Sequence, residues 1–309
     1  MSDILPRLKK VLEGCDFLYI FTHDHPDPDC IASSMVLKYI VKEKFGLDSM
    51  IVFGGDIRRA ENLSMKTLLK VDLCNLNDLD QTRIKYAAIV DSQPSFGNNS
   101  FPEDLVPLIV IDHHSQDGIV GDIPFIDIRT GYGVTVSILF EYLCESGLPI
   151  SGEMATAIYY GIFSETQCLG RDVGKPEIKA HTTLYPIVDF YTLSKIINPP
   201  LKTEYFRELS KTLKNAFTCG KLIGAYLGKV SYPEVVAQMA DIIVKNENRM
   251  WAVCGGIHQN KLLLSIRTDE KKSQAGKLLY DLVTRFGKGD AGGHDMIAGG
   301  HLLLEDKVE

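Results

Sequence analysis

The sequence predicts an α/β protein in two parts: an N-terminal domain with a parallel sheet and helices on both of its faces, a helical connection, and a smaller C-terminal α/β domain. Length is the first observation behind this, since 309 residues exceed the size at which one hydrophobic core usually stops growing. The second is that the early Ile- and Val-rich runs are continuous instead of alternating, as in strands covered on both faces. The third is a change of texture at Phe217, where a new set of strand-like and helix-like segments begins. The expected division is residues 1–188 for the first domain, 189–215 for the helical linker and 216–309 for the second domain.

The opening MSDILPRLKKVLEGCDF spaces Ile4, Leu5, Leu8, Val11 and Leu12 among charges, as an amphipathic helix does, and lacks the unbroken apolar stretch of a signal peptide. FLYIFTH reads as a strand ending in polar residues, and IASSMVLKYIVKEKFG as a helix closed by Gly46. SMIVF, YAAIVD and LIVIDH are further strands, each ending in or closely followed by an acid or a histidine. VTVSILFEYLCES and GEMATAIYYGIFSET have helical spacing, and helical patterns continue from KPEIKAHTTLYPIV to about Asn215. Beyond Phe217, CGKLIGAYLGKV, RMWAVCGGIH and KLLLSIRT read as strands, with helices at PEVVAQMADIIVK and QAGKLLYDLVTRFG.

Composition excludes several classes. With 45% hydrophobic and 24% charged residues the chain matches an ordinary soluble protein, and no segment has the apolar length of a membrane span. The seven cysteines are odd in number, scattered and never in a CxxC pair, which predicts reduced thiols in a cytoplasmic setting and argues against zinc or disulfide frameworks. A net charge of −7 argues against a long basic groove for nucleic acid. A small anionic substrate is still allowed, because bound cations can supply positive charge locally.

The chemistry-bearing residues follow strands. His23-Asp24-His25-Pro26-Asp27-Pro28-Asp29 comes directly after the first strand, with two prolines stiffening a loop and carboxylates at alternate positions. Alone, it fits a solvated acidic turn as well as a site. Asp91 ends one strand and Asp112-His113-His114 another. The two imidazoles offer one ligand and one proton donor or orienting group, or else one packs inside and the other faces water. Ligands of parallel sheets sit beyond the carboxyl ends of strands, so these clusters are expected to converge. Imidazole nitrogen with several carboxylates, and no thiolate among the candidates, suits manganese, and also magnesium or iron. Carboxylates gathered so closely would repel unless cations neutralised them.

These motifs resemble those of the DHH phosphoesterases, from the first strand to the C-terminus. His23 with Pro26-Asp27-Pro28-Asp29 is similar to the opening motif, Val90-Asp91 to the second and Asp112-His113-His114 to the name-giving one. The resemblance implies that His23 and Asp27 hold one metal ion, Asp29 and His113 another, and that Asp91 bridges them. Asp112 and His114 would stand behind the ligands as catalytic residues. Gly161-Ile162-Phe163-Ser164-Glu165-Thr166 is similar to the fourth motif, with Glu in place of Asp. Being one methylene longer, Glu165 would ligate the second metal, shift it or bind it through water. Pro28 stands where the family commonly has Gly, which implies a small loop adjustment.

Near the C-terminus, Gly292-Gly293-His294-Asp295-Met296-Ile297-Ala298-Gly299-Gly300 resembles the GGHxxAAG motif of the DHH-associated domain, after a strand holding Ser265-Ile266-Arg267. Alone, this stretch reads as a tight turn between a helix and a strand. The resemblance implies that Arg267, Gly292, Gly293 and His294 bind substrate phosphate. It implies two Mn2+ ions, with Mg2+ or another divalent metal admitted, and hydrolysis by a two-metal mechanism. The nano-RNase and phosphoadenosine-phosphate phosphatase branch is the nearest in domain make-up, so a short oligonucleotide or small phosphorylated substrate is expected first. Polyphosphate or pyrophosphate comes second, and a linear or cyclic dinucleotide third. A nucleotide-binding regulator that has lost turnover through the Glu165 change is the reading from another class. Family members often dimerise, so a homodimer is compatible with the sequence.

Overall fold

The computed structural model describes residues 4–115, 122–270, 272–293 and 295–304. The chain divides into two compact units, residues 1–199 and 200–309, so the break falls between the adjacent prolines Pro199 and Pro200. Prolines in succession suit such a break, since neither offers a backbone N–H to continue a helix.

In the first unit six parallel strands, β1 (Leu18–Phe21), β2 (Ser49–Phe53), β3 (Leu73–Asn75), β4 (Ala87–Val90), β5 (Ile109–Asp112) and β6 (Phe125–Ile128), lie in the order β3-β2-β1-β4-β5-β6. The chain leaves β1 towards one edge, then returns to place β4 on the other side of β1. That reversal is where open parallel sheets form their ligand crevice. Among the described residues seven α-helices accompany this sheet: α1 (Ile4–Val11), α2 (Pro28–Phe45), α3 (Ala60–Leu68), α4 (Thr135–Ser146), α5 (Gly152–Glu165), α6 (Lys175–Leu184) and α7 (Phe190–Ile197).

The buried side chains of all seven helices join one core with Ile20, Ile51, Val90 and Ile111 from one face of the sheet. The alternate strand residues, among them Phe21, Val52, Ile89 and Val110, form a separate core with Leu76, Ile84, Phe101 and Ile123. Among the described residues, that second face is covered by short 3-10 turns and loops, while the α/β class, the parallel sheet and the second α/β unit are as the sequence predicts. The stretches that join β3 to β4, β4 to β5 and β5 to β6 carry no α-helix among the described residues.

The second unit opens with α8 (Thr203–Lys214) and has six strands, β7 (Ala216–Cys219), β8 (Leu222–Lys229), β9 (Trp251–His258), β10 (Lys261–Thr268), β11 (Gly289–Gly293) and β12 (Ile297–Leu303), in the order β11-β12-β10-β9-β8-β7. β8 and β9 run parallel and the other neighbours antiparallel. α9 (Val235–Ile243) buries Val235, Val236, Met239 and Ala240 with Ile223, Ala252 and Cys254, while α10 (Ala275–Phe286) buries Leu279 and Val283 with Ile266 and Ala298. The residues sequence reasoning treated as a glycine loop, Gly292 and Gly293, lie in β11, paired with Gly299 and Ala298 of β12. No β-former specifies that strand; pairing with β12 does. Gly293, at φ 145°, approaches Ile297 so closely that an added Cβ would lie 2.2 Å from its carbonyl oxygen. No helix among the described residues is long and apolar enough to cross a membrane.

Candidate metal centre

The first unit gathers its polar side chains where β1, β4 and β5 end. α2 starts earlier than its apolar pattern indicates, because Asp27 caps it: Oδ1 accepts the Cys30 N–H at 3.0 Å, and Pro28 takes the first helical position. A fixed φ near −65° suits that position, so proline here needs no loop adjustment. Asp29 and Cys30 consequently lie in the first turn of the helix, buried, instead of in a loop.

Each histidine of the centre is aimed by a backbone carbonyl. His23 Nδ1 donates to Asp24 O at 2.8 Å and His113 Nδ1 to Tyr132 O at 3.2 Å, which turns each Nε2 towards the centre. His23 Nε2 lies 3.5 Å from Asp27 Oδ2 and 3.8 Å from Asp91 Oδ2, and His113 Nε2 lies 3.7 Å from Asp91 Oδ1. The two oxygens of Asp91 therefore face different histidines. Asp91 itself sits at φ 58°, left-handed for a non-glycine residue, with its N–H held by Ile111 O at 2.9 Å. Thr135 Oγ donates to Asp91 Oδ1 at 2.7 Å.

Asp29 faces the start of α4, where its oxygens accept the Thr135 and Val136 N–H groups, both at 2.8 Å. Asp112 is fully buried at the end of β5; Oδ1 accepts from His113 N and His114 Nδ1, both at 2.8 Å, and Oδ2 from Gln93 Nε2 at 2.7 Å. Among the described residues two donor groups result, each with its atoms within 4.8 Å of one another: His23, Asp27, Cys30 and Asp91, and Asp91 with His113 and His114.

The geometry thus brings together His23, Asp27, Asp91, His113 and His114, and sets Asp112 behind them. His114 joins His113 in the donor group of Asp91, and Asp29, in neither group, lies close enough to act on the Asp91 carboxylate. Glu165, the last residue of α5, stands in neither donor group; Arg171 Nη2 donates to its Oε1 at 3.0 Å and to its carbonyl at 2.9 Å. Gln167, Cys168 and Leu169 then make three successive left-handed residues. Sequence reasoning overlooked Cys30 and Gln93. It had excluded thiols from the donor set, and the signal available was the position of Cys30 immediately after Asp29.

Charge is heavily frustrated here. Burial and the Asp27 carboxylate push Asp29 up to about 7. Burial and Asp29 raise Asp91 well above the usual range. For Asp27 burial works upward, but His23 and the Cys30 N–H overcome it and hold the carboxyl at about 2. Burial and His114 keep His113 neutral, down to about 4. Burial opposes a charge on His114, yet its bond to Asp112 raises it. Donors each about 2.1 Å from a tetrahedral or octahedral ion lie about 3–4 Å apart. The imidazole-to-carboxylate distances around Asp91 match that spacing, and cations would relieve the strain among the carboxylates, so the residues fit divalent ions.

In the second unit Arg267 is 8% exposed and already bonded: Nε donates to Asp241 at 2.5 Å and Nη1 to Ser265 Oγ at 2.8 Å and Ile266 O at 2.9 Å. His294 lies outside the described residues.

The chain is 34% identical over 289 residues to an uncharacterized protein of Methanocaldococcus jannaschii, covering 93% of this chain and 58% of that one. It is 24% identical over 176 residues to a probable bifunctional oligoribonuclease and PAP phosphatase of Streptococcus mutans, covering 53% and 49%. Over 158 residues it is 25% identical to a probable manganese-dependent inorganic pyrophosphatase of Streptococcus agalactiae, covering 49% of each. The chain spans about half the length of these curated relatives. Among solved structures, an exopolyphosphatase-related protein from Bacteroides fragilis superposes with a TM-score of 0.77 at 17% identity, over 97% of this chain and 92% of that one, and so shares the fold. Residues 18–162, which carry both donor groups, match the DHH family N-terminal domain.

Proposed function

We propose that the chain is a manganese-dependent phosphoesterase that hydrolyses short oligonucleotides or small nucleotide phosphates. The observation that carries this reading is Asp91, whose two carboxylate oxygens face His23 on one side and His113 on the other at the reversal point of the sheet. Divalent cations bound there would supply positive charge to a phosphoryl group and acidify a water at neutral pH.

The protein's own part is positional. His23 and His113 are each locked by a carbonyl with Nε2 turned to Asp91; His113 is held neutral, whereas, against its burial, Cys30 and Asp27 hold the proton on His23 well above the ordinary imidazole range, so a cation would have to displace it. Asp91 is common to both donor groups, and the Thr135 hydroxyl fixes its orientation. Asp112 holds the Nδ1 proton of His114, so the ring is kept charged more readily and its other nitrogen can donate a proton to a leaving oxygen. Two successive strand ends and a helix N-terminus make this a rigid frame, as phosphoryl transfer needs, since its catalysis is mostly positioning and charge. The Streptococcus mutans relative, by its name, acts on oligoribonucleotides and PAP, which supports the substrate class. Phosphate binding by Arg267, Gly292, Gly293 and His294 belongs to the same proposal.

The test is hydrolysis of a dinucleotide, phosphoadenosine phosphate, a short polyphosphate and pyrophosphate by the purified full chain, with and without Mn2+, beside Asp91→Ala. Manganese-dependent release of mononucleotide or of phosphate from phosphoadenosine phosphate, lost in Asp91→Ala, is the expected result. Cleavage of polyphosphate or pyrophosphate alone would transfer the activity to phosphoanhydrides. Turnover that survives Asp91→Ala, or none with any substrate, would overturn the reading.

A further inference from the structure

The donors that the family resemblance assigns are all nitrogen and oxygen, yet one of the two donor groups contains a sulfur. Cys30 is fully buried in the first turn of α2, three residues after the helix cap Asp27, so the two side chains leave the same face of the helix start. Its backbone is pinned by the N–H bond to Asp27 Oδ1, and its sulfur lies 3.6 Å from the Asp27 carbonyl. Within 4.8 Å of one another stand the ring nitrogen of His23, a carboxylate oxygen each of Asp27 and Asp91, and this sulfur. The neighbouring group around His113 and His114 shares Asp91 but contains no sulfur. The two halves of the centre therefore differ in kind.

We propose that Cys30 is a ligand of the cation held by His23, Asp27 and Asp91, making that half a nitrogen, oxygen and sulfur site that prefers a thiophilic ion such as zinc, cobalt or cadmium over magnesium. The inference rests on the reading of this cluster as a metal centre. Four donors of this composition suit tetrahedral coordination, and thiolate is the ligand that separates zinc from magnesium and manganese. The thiol gives its proton to solvent as the sulfur binds the ion, so uptake releases protons. The half at His113 and His114, with imidazole and carboxylate only, keeps no such preference. A centre of this kind distinguishes its two ions by donor chemistry rather than by size of cavity.

The full chain, stripped of metal and titrated with Cd2+ or Co2+, gives two independent readings: ions bound per chain by equilibrium dialysis, and thiolate-to-metal charge-transfer absorption. Expected is a band that saturates with one ion per chain, is abolished by Cys30→Ser, and is kept by Cys254→Ser, a change at the other fully buried cysteine. Cys30→Ser should also reduce zinc-over-magnesium discrimination by at least about tenfold. X-ray absorption of the zinc-loaded wild-type protein requires no variant, and should show one sulfur at about 2.3 Å. Ions bound without a sulfur contact, or a band that persists in Cys30→Ser, would overturn the assignment and leave the metal centre standing. Failure to bind any divalent ion would overturn the centre itself, and the proposed activity with it.

Discussion

Asp91 holds a left-handed backbone, at φ 58°, that costs an L-residue about 1–2 kcal/mol, and its carboxylate is buried between other acids. Such a residue is kept for what it binds, not for stability. The signs of titration agree: Asp29 ionises near 3.8 when unfolded and near 7 when folded, so stability falls as pH rises across that interval, and Asp91 acts in the same sense. His23, raised when folded, stabilises below its unfolded value and loses that contribution as pH rises past its folded one. His113, lowered to about 4, opposes only between about 4 and 6.5. Metal-free protein should therefore melt a few degrees lower at pH 8.5 than at pH 6.5, a slope that Mn2+ removes and Asp91→Asn reduces, asparagine being tolerant of left-handed backbone. The same substitution should lower hydrolysis on the order of 100-fold or more. A melting temperature that climbs with pH would contradict this account. Most of these residues could be read from sequence because each ends a strand. Cys30 could not, because a thiol without a CxxC partner looks like packing and Pro28 looked like loop.

At the scale of elements, the start of α4 serves the centre twice, through backbone N–H groups to Asp29 and a hydroxyl to Asp91. Partly positive helix ends favour such carboxylates. Behind it, Arg129 ties Asp127 to Glu141 and to the Tyr132 hydroxyl, while Glu177 accepts the Gly133 N–H, so the segment whose Tyr132 carbonyl aims His113 is braced from both sides. Thr135→Val keeps the shape and the backbone bonds but deletes the hydroxyl. We expect a 10- to 100-fold loss of cation affinity by calorimetric titration, with the fold retained; unchanged affinity would mean that the hydroxyl orients nothing. Strands such as β4 and β5 were legible because a doubly covered strand is apolar throughout. β3 was not, being three residues long, nor was β6, whose FIDI carries an acid and is fully buried only at Phe125, nor β11, whose GDAGG contains no residue with strand preference. Nor does local pattern reveal which face of a sheet a helix will cover, since that depends on which connections carry helices and on the order of the strands they join.

For the whole molecule, the division at Pro199 and Pro200 lies inside the segment where sequence placed a helical connection, because α7 packs with α3 and α5 in the first unit, whereas α8 packs with β8 and α9 in the second. The four buried clusters respect that division: two consist only of residues before it and two only of residues after it. Separate cores relax the condition for all-or-none unfolding. Scanning calorimetry should accordingly resolve two heat-absorption peaks, the larger from residues 1–199. A ligand shifts only the transition of the part it binds, so Mn2+ should carry that peak upward and leave its companion in place; one merged peak moving as a whole would show the halves unfolding together. Heat would thus report occupancy of the centre with no substrate in the cell, each half of the chain serving as the thermometer against which the other is read.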